Sequence, residues 1–324
     1  MDEKQSRLNR QDGCVLLAGP TASGKSAIAL AIAEEFDGVI INADSMQIYD
    51  GLHIITARPS AEDEARVPHK LYGVLAPEDY CTAARWRDMA LDEIEAARAG
   101  GRLPVVVGGT GLYFDILTRG IADIPEIPDK LRRSLRTLQQ EKGTEAIYTR
   151  LEKKDPAVAA RLNTGDTQRL LRALEVIEAT GISLDEWHRR EGTGPVLEGP
   201  RIWLALTPDR DWIYDRCNRR LDWMVGEGGA LTEVNDLMRR DLDPSLPAMK
   251  ALGVPELIRY LDGKMEKEVA VTRVKMLTRR YAKRQMTWIR NKMCEANCSF
   301  AQDMESLREE FFPIIRRFLL TLVK

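Results

Sequence analysis

Gly19-Pro-Thr-Ala-Ser-Gly-Lys-Ser26 decides the fold. It fits G-x-x-x-x-G-K-[ST], a loop whose backbone cradles phosphate. Two glycines, Gly19 and Gly24, let N–H groups converge on an anion without side-chain bulk. Pro20, Thr21, Ala22 and Ser23 complete the turn, and Lys25 brings a full positive charge. The Ser26 hydroxyl is the expected ligand for Mg²⁺. The context agrees: the apolar run Cys14–Ala18 leads in, and Ser26–Phe36 reads as a helix with Ile28, Ile32 and Phe36 on one face. That helix would add its N-terminal dipole to the site.

Working outward, Gly38–Ile41 and Pro104–Val107 are further short apolar strands, and Ile202–Leu206 is another, stopped by Pro208. Ala83–Ala99 has helical composition and ends at Gly100-Gly101. Short apolar strands alternating with helices predict an α/β fold: a P-loop NTPase-like parallel sheet core covered on both faces. The alternation breaks between about 120 and 200. There Leu131–Leu151 and Gln168–Ala179 are amphipathic helix candidates, with extended joins at Ile124–Pro128 and Glu191–Pro200. The expected organisation is core 1–119, a helical insertion domain 120–200, and core continuation with a helical C-terminal region over 201–324.

Asp44 follows the second strand directly. In an open parallel sheet, ligands gather at the carboxyl ends of strands, so Asp44 is expected to face the crevice of the loop. General base, Mg²⁺ ligand and helix N-cap all suit a carboxylate there. Gly108-Gly-Thr-Gly111 closes a third strand, where Thr110 fits either a substrate contact or a tight turn. Arg216 and Arg220 stand one turn apart on a helix with Ile213, Cys217 and Leu221 as its apolar face. They fit phosphate clamps or a solvated surface.

Arg273–Arg290 carries seven Lys or Arg and no acid, in a chain whose net charge is −2. Val274, Leu277, Tyr281 and Trp288 are the expected buried stripe, with Lys275, Arg279 and Lys283 on another face. Such a face suits a nucleic-acid backbone.

The composition excludes other classes. No apolar run approaches the ~18 residues that span a bilayer. Residues Met1–Asp12 are polar and charged, so a cytoplasmic protein is expected. Five cysteines, an odd and scattered set, do not form a disulfide framework. Cys294 and Cys298 fit one helical turn but lack two further zinc ligands at suitable spacing.

With these residues assembled, the chain resembles the tRNA dimethylallyltransferases, the adenosine-37 isopentenyltransferase family, in its bacterial form. The likeness runs from about residue 13 to 292. It rests on Gly19–Ser26, Asp44–Tyr49 (DSMQIY), Thr56–Pro59, Pro68-His69, Val107–Tyr113 (VGGTGLY), Asp166–Glu175 (DTQRLLRALE) and Lys283–Arg290 (KRQMTWIR). The resemblance implies that the loop holds the diphosphate of dimethylallyl diphosphate rather than ATP. It implies Asp44 as the base at the adenine amine, with Thr21 and Arg220 as the other catalytic residues and Mg²⁺ as cofactor. The implied partner is the anticodon stem-loop of tRNA. Its implied contacts are Asp44, Ser45, Met46, Gln47, Thr110, Arg132, Gln168, Arg169, Leu170, Leu171, Arg172, Lys250, Lys283, Arg284, Gln285 and Arg290. Ile55 stands where the family pattern has glycine, and Val254 where it has an aromatic. A monomer with no membrane association is expected. The competing readings are a P-loop small-molecule kinase, a free-adenylate isopentenyltransferase and a non-catalytic RNA-binding ATPase.

Overall fold

The apolar runs that flank the glycine loop become parallel strands. The computed structural model describes residues 13–122, 124–189, 196–293 and 295–322. In chain order, β1 (Cys14–Ala18) enters the loop and α1 (Lys25–Glu35) leaves it. Then come β2 (Gly38–Asn42), α2 (Ala61–Arg66), β3 (His69–Lys70), α3 (Ala83–Ala99), β4 (Leu103–Gly108) and α4 (Gly111–Arg119). Four helices follow: α5 (Asp129–Lys154), α6 (Pro156–Arg161), α7 (Thr167–Thr180) and α8 (Leu184–Arg189). The chain resumes with β5 (Arg201–Leu206), α9 (Arg210–Val225), α10 (Ala230–Met238), α11 (Val254–Leu261), α12 (Lys267–Lys292), β6 (Asn297–Ser299) and α13 (Met304–Thr321).

The six strands form one sheet in the order β3-β2-β4-β1-β5-β6. Every pairing is parallel. Alternate strand residues serve two cores. Leu16, Ile41 and Val106 join Trp86, Ile94, Leu221 and Val274 on one face. Leu17, Ile40, Val105 and Leu204 join Ile28, Ile32, Phe311 and Ile315 on the other. Both faces are dry, which is why the strands read as unbroken apolar runs.

The short edge strands β3 and β6 leave no pattern in the sequence. Two and three residues are too few to show a period. Cys298 lies in β6, so the expected helical turn there is replaced by a strand, and Cys294 lies outside the described residues. The join expected at 191–200 falls partly outside them too.

The chain divides into two compact units, 1–118 with 197–324, and 119–196. The second unit packs α5, α6 and α7 around Leu135, Ile147, Leu151, Val158, Leu170 and Leu174. Its long helix is broken at Gly143, whose φ of 78° departs from helical geometry.

Candidate active site

The strand order brings three loops side by side. β4 lies between β1 and β2, so Gly108–Gly111 sits between the phosphate loop and Asp44. Two strand spacings, about 10 Å, separate the loop from the carboxylate. Backbone bonds tie the three together: Gly19 N–H to Gly108 O (3.2 Å), Ala43 N–H to Val107 O (2.8 Å) and Thr110 N–H to Ala43 O (3.2 Å). Gly108 is obligatory, because a Cβ would lie 2.1 Å from the Ala43 carbonyl oxygen.

The loop is built for an anion. Ala22 (φ 64°) and Gly24 (φ 90°) both take left-handed conformations, which fold the backbone into a concave nest. Gly24 caps α1 without a side-chain hydrogen bond, so the first N–H groups of that helix face the crevice unused. The Ser23 hydroxyl is buried and has no hydrogen-bond partner among the described residues. Burial pushes the Lys25 ammonium down to about 8; Asp44 draws it back up and Arg220 opposes that. A buried cation without a tight counter-ion is poised to receive a negative ligand.

Asp44 is held by its neighbours. Its N–H donates to Asn42 Oδ1 at 2.8 Å, and its own Oδ1 accepts from Met46 N–H at 3.0 Å. It lines a cavity of about 540 Å³ with Thr21, Gly24, Lys25, Ser26, Arg216 and Arg220. It also lines a second, of about 460 Å³, with Lys250, Leu221, Val274, Tyr281 and Arg284. Thr21, Asp44, Thr56 and Arg220 border both cavities, so the two meet at these four side chains.

α9 closes the loop from above. Arg220 Nη2 donates to the Thr21 hydroxyl at 2.5 Å, and Arg216 Nε to the Ala22 carbonyl at 2.9 Å. Burial draws the Arg220 guanidinium below its usual range, with Asp44 partly compensating. Arg216 also stacks over Trp212 at 4.7 Å. The segment carrying Thr56 is clamped from two sides. Gln47 Nε2 donates to the Thr56 and Ala57 carbonyls, and Glu233 accepts the Ile54 and Ile55 N–H groups.

Several residues expected to meet RNA are buried or use their polar groups within the protein. Gln285 is 5% exposed, accepting from Thr21 N–H at 2.8 Å and donating to Gly109 O at 2.9 Å. Its amide is spent inside the protein. The clue in the sequence is its register, three residues after Ala282 and four before Ile289, on the buried side of α12. Leu170 is 0% exposed in the core of the second unit, where Leu171 packs beside it. Gln47 is buried as well. Thr110 uses its Oγ1 to accept Ser45 N–H at 3.0 Å.

The buried stripe of α12 is Ala270, Val274, Thr278, Ala282, Gln285 and Ile289; of the expected set Val274 is in it, and Trp288 packs partly buried against the same core. Ala282 packs on Ile213 and Cys217 of α9, and a small residue allows that close approach. Leu277 and Tyr281 instead wall the second cavity. Lys275 donates to Asp222 at 2.6 Å and Arg279 to Asn218 at 2.7 Å, so both charges bind α9. Lys283, Arg284 and Arg290 remain exposed on α12, and Lys250 is exposed at the second cavity. In the second unit Gln168, Arg169 and Arg172 are exposed on α7 and Arg132 is half-buried on α5. Arg132 lies near Asp129 on α5, Arg169 near Asp166, which caps α7, and Arg172 near Glu175 on α7.

The family model for IPP transferase matches residues 47–292. The chain belongs to the IPP transferase family. Its relatives in the family include a tRNA dimethylallyltransferase of Rhodospirillum centenum, 50% identical over 87% of this chain and 90% of that one. Another, from Bradyrhizobium sp. (strain ORS 278), is 52% identical over 87% and 91%. Among solved structures, the tRNA isopentenylpyrophosphate transferase of Bacillus halodurans superposes with a TM-score of 0.69 at 34% identity, covering 96% of this chain and 98% of that one. A eukaryotic dimethylallyltransferase acting on tRNA gives 0.77 at 26% identity, over 94% and 77%. The IPP transferase fold is therefore a P-loop-like parallel sheet in this chain too, with phosphate loop and carboxylate on one crevice.

Proposed function

We propose that this prenyltransferase moves the dimethylallyl group from dimethylallyl diphosphate to the exocyclic N6 amine of adenosine 37 in tRNA. The observation that carries this reading is the meeting of two cavities at Thr21, Asp44, Thr56 and Arg220. One cavity has the chemistry of a diphosphate cradle. The other has apolar walls and an arginine rim, suited to a base swung out of a single-stranded loop.

The amine nitrogen attacks C1 of the donor. The N6–C1 bond forms, the C1–O bond breaks, and diphosphate leaves with the bonding electrons. The N6 proton passes to the Asp44 carboxylate, since an amide-like aromatic amine is a poor nucleophile without an acceptor. The loop N–H groups, Lys25 and Arg220 take up the charge that develops on the leaving oxygens. Arg220 also fixes the Thr21 hydroxyl at the edge of the cradle.

The residues present fit Mg²⁺. Ser26 is exposed and lines the first cavity beside Lys25 and Asp44. Mg²⁺ is commonly held by few protein ligands together with phosphate oxygens and water, and Ser26 would supply that one contact. When bound, the ion would stabilise negative charge on the departing diphosphate.

Lys250, Lys283, Arg284 and Arg290 are proposed contacts to the anticodon stem-loop, with Arg132, Gln168, Arg169 and Arg172 as contributions of the second unit. No helix among the described residues is long and apolar enough to cross a membrane. The proposed setting is the cytoplasm, with the chain acting as a monomer.

The test is incubation with unmodified tRNA, dimethylallyl diphosphate and Mg²⁺, followed by mass analysis of the nucleosides. Gain of one five-carbon unit on adenosine supports the reading. Phosphate transfer from ATP to a small acceptor, with no gain on tRNA, overturns it.

A further inference from the structure

Gln285 is a long amide among the small and apolar side chains on the buried side of α12, and both of its ends are used. The partner of its oxygen is unusual. In a loop shaped to aim N–H groups at an anion, the Thr21 N–H is taken by a side chain of a distant helix. That removes one donor from the anion's reach and sets the orientation of the Thr21 peptide. The Thr21 hydroxyl then meets Arg220 where the two cavities join.

The other end of the amide leads toward Asp44. Gln285 Nε2 donates to Gly109 O, the next residue is Thr110, and Thr110 Oγ1 accepts the N–H of Ser45, the neighbour of Asp44. A Cβ on Gly109 would lie 2.0 Å from Gln285 Nε2, so only glycine there admits the contact. Tyr281, one turn earlier on α12, walls the second cavity beside this junction.

We infer that Gln285 is a positioning residue for the transfer, a strut that sets the reach between Thr21 in the donor cradle and Asp44. The inference rests on the function proposed above. The strut acts through the backbone at both ends and touches no substrate. Its value lies in geometry: a displacement of about 1 Å between reacting groups can cost as much as 10²-fold in rate.

Gln285→Leu tests it, because it keeps the bulk and removes both hydrogen bonds. The expected result is a kcat lower by about tenfold or more, within the range that misplacement produces, with tRNA affinity unchanged and a melting temperature lowered by a few degrees, since two buried backbone groups lose their partner. Deuterium exchange in the peptide carrying Thr21 is expected to quicken. Gln285→Glu retains an acceptor for Thr21 N–H and should recover part of the lost kcat. Gly109→Ala, which pushes the amide away from the other side, should repeat the Leu phenotype and serves if Gln285→Leu does not fold. Wild-type kcat and exchange in a folded variant would overturn the strut. So would a kcat loss that disappears once rates are normalised to the folded fraction. If the unaltered protein transfers no prenyl group, the proposed function fails by itself, while the exchange measurement still reads the strut.

Discussion

Asn42 holds Asp44 at both ends of its backbone: Oδ1 accepts the Asp44 N–H at 2.8 Å, and Nδ2 donates to the Asp44 carbonyl at 3.0 Å. Asn42 itself is fully buried and anchored further to Leu71 O. The carboxylate is therefore aimed by a rigid support, and among the described residues one of its oxygens is engaged, at Met46 N–H.

Asp44→Asn keeps an oxygen for Met46 N–H and removes the charge. We expect turnover to fall by about 10²-fold or more, as loss of a general base does, with tRNA binding retained. Single-turnover transfer assays beside tRNA binding titrations check this. Near-normal turnover would strip Asp44 of its role.

Lys25 supplies a pH signature. With its free-state value at about 8, the ammonium is charged below that pH and neutral above it. Only the charged form attracts diphosphate, whose terminal group has lost its last proton near pH 6. Donor affinity should be level between about pH 7 and 8, then weaken by up to about tenfold per pH unit above 8. Lys25→Met should flatten the profile in calorimetric titrations. Without donor the sign for stability is opposite. Between about 8 and the ordinary 10.5 the unfolded chain holds this proton more tightly, so the Lys25 contribution to stability rises with pH.

Arg220 contacts both the Thr21 hydroxyl and the donor cavity. Arg220→Ala should lower kcat/KM for the donor by about 10²–10³, the usual cost of removing a preorganised donor at a developing anion. Arg220→Lys should restore little of it, because a point charge lacks the planar fork. Steady-state kinetics with varied donor separate the two outcomes.

The basic helix offers a paired comparison. Lys275 and Arg279 are bound to Asp222 and Asn218 of α9, whereas Lys283 and Arg284 are exposed. Replacing Lys283 and Arg284 by Ala should reduce the slope of log affinity against log salt by about 0.7 per lost phosphate contact. Replacing Lys275 and Arg279 should leave that slope alone. Filter binding across a salt series reads both.

Gly108→Ala would drive a Cβ into the Ala43 carbonyl with no flexible group to yield. A loss of about 1–3 kcal/mol or more is expected, as for overpacking of a rigid core. Chemical denaturation measures it.

The local chemistry was legible from the chain. A nest is favoured by glycine at a left-handed position, as at Gly24, a buried parallel strand needs an unbroken apolar run, and these requirements act within a few residues. That is why the loop at Gly19–Ser26, the strands beside it and Asp44 at the end of β2 could be read directly. Edge strands of two and three residues carry no such pattern.

What only the tertiary structure decided is where the polar side chains spend their hydrogen bonds. From sequence, Gln285, Lys275 and Arg279 look like members of one basic, solvent-facing segment. Packing of α12 on α9 through Ala282 turns Gln285 inward to the glycine loop and matches the two cations with Asp222 and Asn218. Composition along a helix sets its periodicity, but the face that is buried depends on the partner surface, and that surface comes from residues tens to hundreds of positions away.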